Sequence, residues 1–128
     1  MSDIPESLRY TNEHEWARVA NGTVVIGITD YAQDQLGDVV FVELPEDGTA
    51  VEAGKPLGEV ESTKSVSDVY SPVSGTVIRT NPDVEQTPEL INEDPYGKGW
   101  LVEIDAGEAP LEGLLDADNY RQLIEGQS

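Results

Sequence analysis

With 128 residues, 38% of them hydrophobic, the chain can bury one modest core and is far from the composition of a disordered segment. Its 26 acidic residues against 7 basic ones give a formal net charge of −19, a field that repels nucleic-acid phosphates and anionic lipid, so neither is an expected partner. The absence of cysteine excludes disulfides, thiolate catalysis and thiolate metal sites, and no apolar run approaches the roughly 20 residues of a membrane span.

The amino terminus, "MSDIPESLRY", shows no basic region followed by an apolar run, so no secretory signal is read there. The expected location is a bacterial cytoplasm, or the mitochondrial matrix for a processed organellar chain. In "EHE", His14 stands between Glu13 and Glu15; neighbours on a strand point to opposite faces, so no metal site is predicted and His14 is expected to bond the start of the sheet. A strand follows at "TVVIGIT" (23–29). The stretch "DYAQDQLG" predicts a helix opening at Asp30, with Gln33 completing a capping box and Gly37 as its stop. In "DVVFVEL" (38–44), the unbroken apolar run Val39–Val42 predicts a strand buried on both faces.

Further strands are predicted at "GEVES" (58–62), "SVSDVY" (65–70), "GTVIRT" (75–80) and "GWLVEI" (99–104), with Gly and Pro between them, the spacing of an all-β sandwich or barrel. Segments 37–57 and 75–90 echo each other: glycine, a β-branched pair, an acidic turn, then proline near leucine. Two such units predict quasi-twofold symmetry about the joining segment 58–75. In "PYGKGW", Gly97 and Gly99 lack the strand–helix setting of a phosphate loop and read as a turn, with Tyr96 and Trp100 beside it. Trp16 and Trp100 read as core or core-edge residues. Near the end, Ala117, Tyr120, Leu123 and Ile124 share a helical face, with Asp116 as N-cap and Gly126 as exit; "APLEGLLD" adds a short helical turn, so the helical segment spans about 110–125. One domain over 1–128 is expected, dominated by β-structure, with short flanking helices.

The chain holds only three lysines, and one of them, Lys64, sits in "GEVESTKSVSDVYSPVSG" (58–75). "STKS" lies between two predicted strands and reads as a hairpin turn, since Ser and Thr hydroxyls bond nearby backbone groups. A lysine at that tip projects into water, where an enzyme can reach it. Ser67, Ser71 and Ser74 have no histidine partner nearby in sequence, so an autonomous hydrolase lacks its nucleophile–base pair.

This stretch resembles the modification site of lipoyl-carrying domains, with Glu61 three residues before the lysine and Gly75 eleven after it. Biotin-carrying domains share that fold but usually place methionines around the lysine, where this chain has Thr63 and Ser65. With "YTNEHEW" (10–16), "GITDYAQDQLGDVVFVELPE" (27–46) and "LINEDPYGKGWL" (90–101) in the same order, the chain resembles the glycine cleavage system H-protein family over roughly residues 8–124. Ser65 stands where alanine is common in that family, and Tyr31 and Gln35 where histidine is frequent.

The resemblance implies a lipoyl/biotinyl-carrier β-sandwich, or flattened barrel, and a carrier rather than an enzyme. It implies lipoate bound covalently to Lys64, with Glu61 and Gly75 recognised by lipoate-attaching enzymes. The implied partners are glycine decarboxylase with pyridoxal phosphate, an aminomethyltransferase using tetrahydrofolate, and dihydrolipoamide dehydrogenase; the carrier would pass the aminomethyl group and reducing equivalents among them. The loaded group is cationic and decays in water, so a carboxylate-lined shelter is expected, with Glu15 and Asp68 lining it and Glu13 and Gln35 beside them. Two alternatives remain at this point: a lipoyl or octanoyl relay to other lipoate-dependent complexes, and an unmodified acidic interaction module.

Overall fold

The computed structural model describes residues 3–20, 22–107, 111 and 113–127. In chain order these form β1 (Arg9–Tyr10), β2 (Glu15–Ala20), β3 (Thr23–Ile28), α1 (Asp30–Leu36), β4 (Val39–Glu43), β5 (Ala50–Val51), β6 (Pro56–Ser62), β7 (Val66–Tyr70), β8 (Gly75–Thr80), α2 (Pro82–Gln86), α3 (Leu90–Glu93), β9 (Val102–Asp105) and α4 (Ala117–Gln127). The strands make a six-stranded sheet, β1-β2-β3-β9-β8-β5, and a three-stranded sheet, β4-β6-β7. Every pairing is antiparallel. The sheets face each other as a flattened sandwich that does not close. Ala17, Ile26, Val77 and Ile104 of the larger sheet meet Val39, Val42, Val60 and Val69 of the smaller one in a common core.

Alternation along β2 and β3 sends the other set of side chains outward, where α4 covers them. Trp16 and Val25 pack there with Tyr10, Ala117, Tyr120 and Ile124. Trp16 lies flat over Gly27, where an added Cβ would come within 2.8 Å of three ring atoms, so only glycine admits the indole. Its Nε1–H donates to the Pro95 carbonyl at 2.9 Å, satisfying the one polar atom of a fully buried ring. Trp100 sits at the core edge as expected, with the Arg79 guanidinium 4.7 Å above its ring.

Several expectations are corrected. β4 is not buried on both faces: Val39 and Val42 are inside, but Val40 and Phe41 are 51% and 54% exposed. A bulge between Val39 and Phe41 reverses the facing, and the three-stranded sheet keeps one face in water. The N-cap of α1 is Thr29, not Asp30; the Thr29 hydroxyl accepts from Ala32 N, while Gln33 reaches the Asp30 carboxylate instead of a backbone donor. Gly37 does close α1, at φ 85°. Asp116 caps α4 by accepting from Asn119 N at 2.9 Å, but Gly126 lies inside the helix, which runs to Gln127.

The two echoing segments share only their opening strands, β4 in one sheet and β8 in the other. After β8 the chain makes helix, not strand: Asn81 caps α2, and Pro82 occupies the first helical position, where its missing N–H costs nothing. Of the helical turn expected at 109–116, Ala109, Pro110 and Glu112 lie outside the described residues. Beside them, Leu114 N–H bonds the Leu111 carbonyl, and Leu115 bridges Tyr10 instead of entering a helix.

Candidate functional site

The β6–β7 hairpin turns through Thr63, Lys64 and Ser65. Ser62 clamps the turn from within: its hydroxyl accepts from Lys64 N and Ser65 N, both at 3.1 Å, and donates to the Ser65 carbonyl at 3.2 Å. Thr63 N–H donates across to the Asp38 carbonyl at 3.1 Å, tying the tip to the start of β4. Lys64 is therefore exposed on a rigid support. Its stem does not stand clear of the fold as expected but leans over Gly37, where a built Cβ would lie 3.1 Å from Lys64 Cε.

Beside this tip opens a cavity of about 420 Å³, bordered by Leu36, which precedes Gly37, and by Ser65, which follows the lysine. Its apolar lining includes Ile28, Leu36, Val60, Val66 and Val69. Glu13, Glu15, Gln35 and Asp68, drawn from the β1–β2 turn and β2, from α1 and from β7, are among its polar lining. All four shelter residues expected from the sequence thus line one cavity, and among the described residues no lysine or arginine joins them. Asp68 is shared with the outer face, where the register sets Glu43, Glu59 and Asp68 directly opposite one another across the three-stranded sheet.

Glu15 is the unusual member, a carboxylate 2% exposed. Thr11 donates to its Oε1 at 2.6 Å and Tyr70 N donates to its Oε2 at 3.2 Å, so both oxygens are satisfied. Burial pushes its pKa up to about 7, against the downward pull of those two hydrogen bonds, and the nearby Glu13 charge adds to the rise. The bond to Tyr70 also ties β2, in the larger sheet, to β7, in the smaller one. Glu15 and Glu13 line a second cavity of about 330 Å³ as well, so Glu15 stands in the wall between the two.

Sequence reasoning passed over part of the cavity. Tyr31 lies four residues before Gln35, hence on the same helix face, a signal that was available. His14 is expected to bond the start of the sheet, and its backbone carbonyl does so, accepting from Thr29 N at 3.1 Å. The imidazole nevertheless borders the cavity, its ring centroid 4.9 Å from that of Tyr31. His14 adopts φ 72°, a left-handed turn conformation that no sequence pattern announced.

Glu61 is exposed on the outer face of β6, paired with Phe41 on one side and Val66 on the other, three residues from the lysine. Gly75 has a packing reason of its own: a Cβ there would lie 2.2 Å from the Asp105 carbonyl oxygen, so only glycine lets β8 approach β9. Among the described residues no group of three or more His, Cys, Asp or Glu side chains is placed to hold a metal ion, and no helix is long and apolar enough to cross a membrane.

A family model described as "Glycine cleavage H-protein" matches residues 8–127. The chain belongs to the glycine cleavage H-protein family. The glycine cleavage system H protein of Mycolicibacterium vanbaalenii is 59% identical to it over 129 residues, covering 97% of this chain and 98% of that protein. The corresponding protein of Rubrobacter xylanophilus is 53% identical over 125 residues, covering 98% of each. A crystal structure of a glycine cleavage system H protein from Mycobacterium marinum matches this fold with a TM-score of 0.89 at 42% identity, covering 95% of this chain and 99% of the other. As an H-protein family member the chain is a lipoyl carrier of the glycine cleavage system and not a catalyst.

Proposed function

We propose that the chain, acting as one carrier domain, holds lipoate in amide linkage on Lys64 and shelters the loaded arm in the adjoining cavity. The observation that carries this reading is the placement of the one lysine in a carrier-type hairpin at the border of a cavity lined by both apolar side chains and carboxylates. Those surroundings fit the group: Ile28, Leu36, Val60 and Val69 suit a hydrocarbon arm, and Glu15, Asp68 and Glu13 suit a cationic end. When bound, lipoate supplies a dithiolane that takes up a one-carbon unit and two electrons.

The residues of the chain supply position and environment. Amide formation removes the Lys64 charge, and the Ser62 clamp keeps the attachment point fixed while the arm swings. Glu15 and Asp68, with Glu13 and Gln35 beside them, attract the cationic load, while the apolar lining limits its contact with bulk water. Glu61, exposed beside the tip between two apolar neighbours, is the feature an attaching enzyme reads; Gly75 acts through the packing of β8 that supports the hairpin. Glycine decarboxylase, the aminomethyltransferase and dihydrolipoamide dehydrogenase present basic rims to this acidic surface, giving quick encounter and quick release in the cytoplasm.

The test is turnover with those three enzymes and lipoylated protein, followed as glycine-dependent NADH formation. Lys64→Arg is expected to abolish it, and Glu15→Gln and Asp68→Asn to lower it while leaving attachment of lipoate intact. Undiminished turnover in Lys64→Arg rules the reading out.

A further inference from the structure

The C-terminal helix has no part in that reading, yet one of its side chains meets both walls of the cavity. Tyr120 is fully buried, its ring stacked on Tyr10 of β1 with centroids 4.6 Å apart and planes within 7°. A buried hydroxyl needs partners, and this one has two. It lies 2.9 Å from His14 Nδ1 and shares a hydrogen bond with Thr29 Oγ1 at 2.7 Å.

Each partner leads to a different wall. His14 adjoins Glu15 in the chain and borders the cavity, its left-handed backbone held by hydrogen bonds to Thr11 O and from Thr29 N. Thr29 is the N-cap of α1, so its oxygen sets where that helix begins and hence where Tyr31, Gln35 and Leu36 face the cavity. The His14 and Tyr31 rings touch across the junction. Phenylalanine would fill the same space and keep the stack; the hydroxyl adds a side-chain link between the walls to the Thr29 N–His14 O bond and the His14–Tyr31 ring contact.

We infer that Tyr120 is a positioning residue for the cavity: its hydroxyl fixes the α1 wall against the His14–Glu15 wall and so sets how closely the loaded arm is held. The effect on the arm rests on the sheltering role proposed above; the placement of the walls does not.

Tyr120→Phe in the full chain tests this, with Tyr10→Phe as control, since it removes the other hydroxyl of the stack, whose bond goes to the Pro5 carbonyl. In the unmodified protein, ¹⁵N resonances of the imidazole of His14, the single histidine of the chain, and the amides of Tyr31–Leu36 report the walls. In lipoylated, reduced protein, formaldehyde and ammonium condense with a thiol and release water, and loss of that one-carbon unit by the reverse hydrolysis is followed by mass.

Tyr120→Phe is expected to shift the imidazole and α1 resonances and to speed the loss about fivefold, the factor that one hydrogen bond commands; Tyr10→Phe leaves both at wild-type values. Unchanged resonances in Tyr120→Phe, or equal effects in the two variants, overturn the inference. If wild-type protein loses the unit as fast as free dihydrolipoamide charged in the same way, the sheltering role falls and the effect on the arm with it, while the resonances still decide the placement of the walls.

Discussion

Glu15 illustrates what a single residue contributes. Its carboxyl is held near a pKa of about 7, while an unfolded chain releases the same proton around 4.5. Between those values the folded form keeps a proton that the unfolded form has lost. The contribution to stability is therefore full below about pH 4.5 and fades as pH rises through 7, a change of roughly 3 kcal/mol. Glu15→Gln never ionises, so its stability relative to wild type should rise by about that amount between pH 5 and pH 8, read from urea denaturation; a difference that does not vary with pH contradicts the assignment. Gly75 gives a second prediction at this scale. Any side chain there meets the Asp105 carbonyl, so Gly75→Ala should cost about 1–3 kcal/mol and lower Tm, through packing alone. Both residues were named from the sequence by resemblance to a family, but the physical reason for each, a buried hydrogen-bonded acid and a backbone contact with β9, exists only once distant strands are brought together.

Among the elements, the β6–β7 hairpin was the most legible, because its signals are local: two β-rich runs around hydroxyl residues that bond their own turn. The Ser62 clamp is the part that holds it. Ser62→Ala removes three hydrogen bonds from the turn, and the expected result is a loss of about 1–2 kcal/mol together with slower attachment of lipoate by purified ligase. Unchanged attachment kinetics would mean that the attaching enzyme orders the loop itself. Other elements were misread for reasons that sequence patterns do not express. Nothing in the Val39–Val42 run marks the bulge that turns Val40 and Phe41 to water. Asn81–Pro82–Asp83 carries a helix-start signal, which the reading of 75–90 as a β-unit leaves unused. The bond between His14 and Tyr120 joins residues 106 apart, beyond the reach of any local pattern.

For the whole molecule, charge is the dominant property. A net charge of −19 sets like charges against one another everywhere, and in the row Glu43–Glu59–Asp68 they stand opposite across strands, an arrangement that destabilises a sheet. Salt should therefore act with opposite signs on the two things this protein does. Raising ionic strength from about 0.05 to 0.5 M shortens the screening length from roughly 14 to 4 Å, so Tm should rise, while association with the partner enzymes proposed above should slow if their rims are basic. If association quickens along with Tm, the acidic surface is not what draws the partners.

The central claim is that Lys64 carries lipoate, and intact mass with peptide mapping over residues 58–75 tests it most directly. Protein made in lipoate-replete cells should carry one lipoyl increment, located on Lys64 and absent from Lys64→Arg. An unmodified Lys64 in cells that lipoylate other domains would contradict the account.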